Sequence, residues 1–324
     1  MDFTVAIPTY NGEHRLPELL ERLRSQSNPA NLQWEILIVD NNSSDRTPEV
    51  VQSFQAHFPV AIRHLKEPCQ GAGYARHTAI RSAQSDLVGL LDDDNLPDET
   101  WLSAAYDFAQ VHVQAGAYGS QIRGEFEVNP SENLRRILPF LAITERGEQP
   151  TCYIRSQGLL PPTAGLVVRK QVWLDYVPEA GILMKLGFKR SDGNHCGEDI
   201  EALGYIHRSP WEIWYNPAMK ITHKIPAWRL ERSYLLPLFR SIGLSRYVTR
   251  MLKIQPWKRS LMVMLYIAND FRKSVLHYLK YRSQLQTDLA AACEMELFLG
   301  SLLSPFHLWQ AYFWQKSIRK KSGL

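Results

Sequence analysis

An α/β protein built on a mainly parallel sheet with flanking helices, followed by a C-terminal helical region, is what this 324-residue sequence predicts. Three observations carry that expectation. Short apolar runs of strand length alternate with segments of helical periodicity from the N-terminus to about Val113. Several runs, such as Ile36–Val39 and Leu87–Leu91, are apolar at consecutive positions, which suits strands covered on both faces. Polar clusters follow their ends, at Thr9-Tyr10-Asn11, at Asp40 and at Asp92 to Asp94, where open parallel sheets bind ligands.

The elements follow in order. Phe3–Ile7 reads as the opening strand, halted by Pro8, and Leu16, Leu19, Leu20 and Leu23 mark one face of a helix. Ile36–Val39 is the second strand, ending in Asp40-Asn41-Asn42-Ser43-Ser44-Asp45. Pro48–Phe58 is a helix with Val50, Val51, Phe54 and Phe58 on its apolar side. Val60–Leu65, a helix over Gly73–Ala83, and Leu87–Leu91 come next, and Pro97 opens a helix running from Asp98 to Val113. From 120 to 220 the pattern is less regular, with strands at Arg123–Val128 and Gly165–Arg169, a helical turn at Lys170–Tyr176 and a helix at Asp199–Tyr205. Gly158–Gly165, stiffened by Pro161 and Pro162, lines a site or forms a simple turn.

Beyond Trp228 the chain reads as helical, basic and rich in bulky apolar residues, which sets expected domains of 1–225 and 226–324. Leu261–Ala268 is apolar, and Leu297–Trp314 has no charged residue and is followed by Arg319, Lys320 and Lys321. Its interruption by Gly300, Ser301, Ser304, Pro305, His307 and Gln310 favours an interfacial or re-entrant segment over a span, with a core helix pair as the alternative.

Composition narrows the setting. Cys69, Cys152, Cys196 and Cys293 form no CxxC pair, which argues against a zinc site or disulfide framework and for a reducing compartment. The opening MDFTVAIPTYNG has neither the basic nor the apolar region of a signal peptide, so a cytoplasmic location is expected. The net charge of +4 conceals an asymmetry: residues 1–219 hold 19 Lys/Arg against 28 Asp/Glu, whereas 220–324 hold 18 against 5. A basic tail expects an anionic partner: nucleic acid, a phospholipid surface or a diphosphate-bearing substrate. Tail aromatics such as Trp228, Tyr234, Tyr247 and Trp257 permit nucleic acid. Anionic lipid also accounts for the apolar segments, so peripheral association with the inner face of the plasma membrane is expected and nucleic acid is not.

The chemistry concentrates in a few places. Asp92, Asp93 and Asp94 follow an apolar strand directly, and like charges delivered to one point need a cationic compensator. A hard divalent cation, Mg2+ or Mn2+, is the economical choice, with substrate phosphates as its other ligands; a solvated helix-capping loop is the plainer alternative. Gly71-Ala72-Gly73-Tyr74-Ala75-Arg76 fails as a dinucleotide loop, because arginine stands at the third glycine position. Arg76 instead suits a phosphate, or a helix surface. Glu198-Asp199 is a second acidic site before a helix, either a cap or a general base. His223 is a candidate metal ligand or phosphate contact.

Taken together, these segments resemble glycosyltransferase family 2, over about residues 3 to 232. The likeness rests on Pro8-Thr9-Tyr10-Asn11, Ile38 to Asp45, Gly71 to Arg76, Leu91-Asp92-Asp93-Asp94-Asn95, Glu198-Asp199 and His223, in that order. The resemblance implies a GT-A fold and an inverting, metal-dependent sugar transfer from a nucleotide-diphosphate sugar, UDP-linked, to a hydroxyl acceptor. Asp40 would bind the base, and Pro8 to Asn11 would line the nucleoside pocket. Arg76, Asp92 and Asp93 would belong to the nucleotide-sugar site, and Asp94 would hold Mg2+ or Mn2+ with His223. Asp199 would be the base and Glu198 its neighbour orienting acceptor or sugar. Gly165 would leave room for the acceptor.

Processive members of the family carry Gln-x-x-Arg-Trp after the base. Here the region reads Ile225-Pro226-Ala227-Trp228-Arg229-Leu230-Glu231-Arg232, which favours single transfers and makes Trp228 and Arg229 acceptor-binding candidates. The nearest overall likeness is to bacterial exopolysaccharide transferases, which implies a lipid-linked or glycan acceptor. Two rivals remain, a sugar-nucleotide nucleotidyltransferase, whose Gly-rich opening loop is missing after Ile7, and a non-catalytic membrane-docking subunit that retains the fold.

Overall fold

A computed structural model of the protein describes residues 1–27, 31–154, 159–179, 181, 197–252 and 254–322, with 308–322 described by their backbone alone. Gly158 and Cys196 lie outside the described residues. Cys69, Cys152 and Cys293 are free thiols.

The chain forms two compact units. The first comprises Met1–Glu127, Pro139–Glu179 and Ala202–Ile225, and the second Val128–Leu138, Ala180–Glu201 and Pro226–Leu324.

The first unit is built on a nine-stranded sheet among the described residues. Its strands are β1 (Phe3–Thr9), β2 (Trp34–Asp40), β3 (Ile62–Lys66), β4 (Leu87–Leu90), β5 (Asn95–Pro97), β6 (Ala115–Phe126), β7 (Thr151–Cys152), β8 (Leu166–Arg169) and β9 (Glu212–Ile225). Their order is β3-β2-β1-β4-β8-β6-β9-β5, with β7 on β9. Parallel pairing holds through β3-β2-β1-β4, as expected, and recurs between β6 and β9. Past β4 the sheet is mixed, because β8 runs antiparallel to both β4 and β6, and β5 antiparallel to β9.

Helices cover both faces of this sheet. Phe3, Val5 and Ile7 point into one core with Leu16, Leu19, Leu20 and Leu23 of α1 (Leu16–Arg24) and Trp101 of α4 (Trp101–Val111). Val51 of α2 (Thr47–Gln55) joins the same core. Ala6, Leu37 and Val39 point the other way, against Ala75, Ala79 and Ile80 of α3 (Ala72–Ser82) and Trp173 of α5 (Lys170–Tyr176). The two-residue alternation along each strand is what divides the buried side chains between the layers. Burial is nearly complete on both sides, so continuously apolar strands are stable here.

Three departures from the sequence reading have local causes. β1 runs through Pro8 to Thr9. Ala6 accepts a hydrogen bond from Leu91 on the β4 side, so Pro8, two residues on, faces that side just past the end of β4, where no donor is needed. β6 begins at Ala115, well before Arg123, because its glycines admit close neighbours. A Cβ on Gly119 would lie 2.6 Å from Pro161 and one on Gly116 2.7 Å from Trp211. β9 was not legible at all, since Asn216-Pro217 reads as a turn. The structure absorbs it where the β6–β9 register shifts, between Ser120 opposite Asn216 and Gln121 opposite Lys220.

In the second unit, α7 (Arg232–Met251) and α9 (Leu289–Ser322) approach backbone to backbone. A Cβ on Gly243 would lie 2.6 Å from the Leu297 carbonyl oxygen, and one on Gly300 2.6 Å from that of Arg240. α8 (Arg259–Tyr281) is tied to α7 by Arg250, which donates to both Asp270 oxygens at 2.5 and 3.1 Å, and to α9 by His277 on the Ala291 carbonyl at 2.8 Å. Arg136 adds ion pairs to Asp288 at 3.1 Å and Glu294 at 3.2 Å. The apolar stretch Leu289–His307 is long enough to cross a membrane, but 44% of it is buried. Ala290, Ala291, Cys293 and Leu297 are buried in the unit. Within the expected segment Leu297–Trp314, Leu297, Ser301 and Ser304 are buried, whereas Leu303 and Phe306 are about half exposed.

Candidate active site

The carboxyl ends of β1, β2 and β4 lie side by side, and the loops that follow them are stitched together. The Asn11 backbone N–H donates to Ser43 Oγ at 2.9 Å, that of Gly12 to Thr47 Oγ1 at 2.8 Å, and that of Ser44 to Asn11 Oδ1 at 2.8 Å. Asn11 takes a left-handed backbone at φ 50°, which asparagine tolerates better than most residues. Asp45 closes the lattice through Glu13 N–H and the Thr47 hydroxyl. Against the upward push of desolvation, these hydrogen bonds hold its carboxyl below the ordinary value. Tyr10, by contrast, points outward and is 46% exposed.

Asp40 ends β2 almost wholly buried, 2% exposed. Its Oδ1 accepts from Ser43 N–H at 2.9 Å, and its Oδ2 lies 3.9 Å from His64 Nε2. Burial lowers the His64 pKa against the opposing pull of Asp40. Asn41 donates to the carbonyls of Glu67 and Cys69 and accepts from Gly71 N–H at 2.6 Å, fixing the start of α3 and hence the base of Arg76.

The three carboxylates each meet a different neighbour. Arg76 Nη2 donates to Asp92 at 3.1 Å. Arg15 grips Asp93 with two nitrogens, at 2.7 and 2.9 Å, and the Thr9 hydroxyl donates to the same carboxylate at 2.6 Å. That hydrogen bond to Asp93 holds the Arg15 guanidinium above its ordinary value, against desolvation. His223 Nε2 stands 3.5 Å from Asp94 Oδ2. Two of the three carboxylates for which the sequence suggested a divalent cation, Asp92 and Asp93, are thus paired with arginines. Asn95 sets the turn: its Oδ1 accepts from Asp92 N–H at 3.1 Å and its amide donates to Asp94 Oδ1 at 3.1 Å. β5 then pairs Asn95 opposite His223, which is what delivers the imidazole to Asp94.

Arg15 and Gly12 were missed by sequence reasoning, and Asn95 was read only as the end of the acidic motif. Arg15 had left a signal, because a cation at a helix N-terminus stands where the macrodipole disfavours it. Gly12 is required by space: a Cβ there would meet Thr9 Oγ1 at 2.3 Å. A charge-assisted bidentate pair is worth about 1.5–3 kcal/mol. With 44% of the Arg15 side chain in water, about 1–2 kcal/mol is expected to survive screening. Urea unfolding of Arg15→Met, Asp93→Asn and the double variant measures it; a coupling under about 0.5 kcal/mol means the bridge contributes nothing.

Among the described residues no three His, Cys, Asp or Glu side chains meet as a self-sufficient cage. Asp94 with His223 offers one carboxylate and one imidazole. That donor set fits a divalent cation that takes its other ligands from diphosphate and water.

Gly165 corrects the expectation of space for an acceptor. It is buried at φ +67°, a Cβ would lie 2.0 Å from Ile221 Cδ1, and its carbonyl accepts from Ser120 Oγ at 2.6 Å. The room it leaves is filled by the protein's own core.

In the second unit, Glu198 and Asp199 open α6 (Glu198–Ile206), whose second half belongs to the first unit. Gly197, at φ +86°, makes the turn that starts the helix, and its carbonyl accepts from Glu201 N–H at 2.9 Å. Three acids in the first turn, Glu198, Asp199 and Glu201, suit the positive end of the helix. Glu198 is buried and Asp199 half-buried. Trp228 and Arg229 sit in a three-ten turn, Ala227–Leu230, with Trp228 51% exposed, edge-on to Tyr234 at 5.0 Å and beneath the Arg229 guanidinium.

An open α/β sheet that gathers an acidic turn at the carboxyl ends of its parallel strands is the GT-A arrangement, and solved structures share it. The mannosyltransferase PcManGT from Pyrobaculum calidifontis, in complex with GDP-Man and Mn2+, superposes with a TM-score of 0.61 at 17% identity, covering 93% of this chain and 86% of that one. Staphylococcus aureus TarS 1-349, in complex with UDP-GlcNAc, gives 0.51 at 16% identity over 94% and 91%. The sequence profile of Glycosyl transferase family 2 matches residues 4–166, and the chain belongs to that family. Curated relatives include the uncharacterized glycosyltransferase YfnE of Bacillus subtilis, 35% identical over 115 residues, and the poly(ribitol-phosphate) beta-N-acetylglucosaminyltransferase TarS, 30% identical over 112. The matches cover 36% and 35% of this chain and 27% and 19% of theirs.

Proposed function

We propose that the protein is an inverting, metal-dependent glycosyltransferase that moves one sugar per encounter from a UDP-linked donor to a hydroxyl of a lipid-linked or glycan acceptor, in bacterial cell-surface polysaccharide synthesis. The observation that carries this reading is the carboxylate turn, where Arg76 and Arg15 take Asp92 and Asp93 and His223 stands at Asp94. The structural neighbours TarS, in complex with UDP-GlcNAc, and PcManGT, in complex with GDP-Man and Mn2+, support a nucleotide-sugar donor.

The chemistry then follows from the side chains. Thr9, Asn11 and Asp40 shape the nucleoside end of the site, and Arg76 faces the diphosphate as a fixed positive charge. Asp94 and His223 would hold Mg2+ or Mn2+. A bound cation supplies neutralisation of the charge that builds on the departing diphosphate. Asp199 accepts the proton of the acceptor hydroxyl while its oxygen bonds to the anomeric carbon and the bond to the diphosphate oxygen breaks. One displacement from the opposite face inverts that carbon. Glu198 orients the acceptor or sugar, and Trp228 with Arg229 gives the acceptor a stacking face and a cation. The basic second unit keeps the protein at the inner face of the membrane, where such acceptors reside.

A screen of nucleotide sugars tests this. With Mn2+ present, one or a few UDP-sugars should release UDP, and chelator should remove at least about 99% of the rate, as expected of chemistry that leans on a cation for several kcal/mol. Release of pyrophosphate instead would mark a nucleotidyltransferase, and no turnover with any donor would sink the enzymatic reading.

A further inference from the structure

We propose that the outer face of α8 docks on an anionic bilayer surface. The inference rests on the membrane-side reading above and names the element that makes the contact. α8 is built inside out. Its fully buried residues are Asp270 and Ser274, bonded to Arg250 and to the Asp270 carbonyl respectively. Its outer face carries Leu261, Met264, Leu265, Phe271, Leu276 and Leu279, each between 52% and 66% exposed. At 100° per residue these positions fall within one arc of about 140°, so they form a single stripe along the helix. A soluble helix turns such a stripe inward, and a patch this large on a surface marks a contact with something apolar.

Charge decides what that something is. From Arg232 to Thr287 the chain contains one acid, Asp270, and it is buried against Arg250. The charged residues beside the stripe are therefore cations, Arg272, Lys273 and Lys280. A second copy packed on this face by two-fold symmetry would set those cations against their own kind, with no carboxylate to offset them. Anionic lipid headgroups match both features at once, the apolar stripe entering the acyl boundary and the cations meeting phosphates.

Flotation of the full-length protein with phosphatidylcholine vesicles, and with vesicles containing phosphatidylglycerol, tests the assignment. The wild type should float with the anionic vesicles and be released as NaCl is raised. The triple variant Leu261→Gln, Leu265→Gln, Leu279→Gln should lower the vesicle partition coefficient by about tenfold or more, since several apolar side chains no longer leave water. The charge variant Lys273→Glu, Lys280→Glu should lose the anionic preference. All these side chains lie outside the catalytic machinery, so both variants should keep the wild-type circular dichroism and UDP-sugar hydrolysis in vesicle-free buffer. That second readout separates a failure of docking from a failure of sugar transfer. Wild type that stays at the bottom of the gradient, a triple variant that floats like wild type, or equal flotation on neutral vesicles each overturns the proposal. So does a wild-type dimer in lipid-free ultracentrifugation that the triple variant dissociates, because a second copy would then own the face.

Discussion

Replacing Asp199 by asparagine is expected to lower kcat by about 10²–10⁴-fold, the range a positioned general base contributes. The substitution keeps size and shape and removes the ability to accept a proton. The attacking hydroxyl would then have to lose its proton to water, and the barrier rises accordingly. Donor affinity should stay within about twofold of wild type, because the proposed base touches the acceptor rather than the nucleotide. The pair of measurements is kcat with the donor found by screening, and calorimetric titration with UDP and Mn2+. Unimpaired turnover in Asp199→Asn would refute its assignment as the base. A loss of UDP binding equal to the loss of rate would show instead that the start of α6 had been disturbed.

Asp94→Ala is the complementary experiment, with the opposite split. Of the three carboxylates, Asp94 is the one set beside His223, so it is the expected protein oxygen for the cation. Its loss should remove Mn2+-dependent UDP binding and reduce transfer by about 10²-fold or more, corresponding to the several kcal/mol a cation supplies at a leaving diphosphate. Binding of UDP without metal should change little, since the proposed base and ribose contacts lie elsewhere. His223→Asn should weaken the metal dependence in the same direction. Asp94→Ala with normal Mn2+-dependent affinity for UDP would mean that the cation, if one is used, is held by other groups.

The two variants together also probe what each acid is for. A triplet of aspartates invites the assumption of three equivalent ligands. The geometry divides the labour differently, with Asp93 committed to Arg15 and Thr9, Asp92 facing Arg76, and Asp94 standing at His223. Asp93 accordingly behaves as a brace of the turn, and its replacement should register in unfolding experiments.

Much of this was legible in the residues themselves. Consecutive apolar positions in β1, β2 and β4 announced a sheet covered on both sides, since only two-sided burial makes such runs favourable. The leucines of α1 at three- and four-residue spacing could face one way only. The acidic turn stood out because charge at the end of a buried strand needs a compensator. Family motifs linked those points in order.

Long-range partners were not legible. Ser120 bonds the carbonyl of Gly165, and Ile221 fills the space beside it, so a glycine that suggested room for an acceptor answers to core packing. β9 hid behind Asn216-Pro217 until β6 supplied a register shift to absorb it. Arg15 and Asp93 are 78 residues apart, and no local pattern connects them. α8 was hidden for a related reason: its sequence shows an apolar run, Leu261–Ala268, but not that Asp270 and Ser274 are the buried residues, which depends on Arg250 as a partner.

Local chemistry thus specifies which segments become strand or helix and which acids end up at strand termini, because periodicity and turn propensity act between near neighbours. Which cation pairs with which aspartate, and which side of a helix is covered, depends on groups brought together by the fold, and the cost of burying a charge is settled only when its partner arrives.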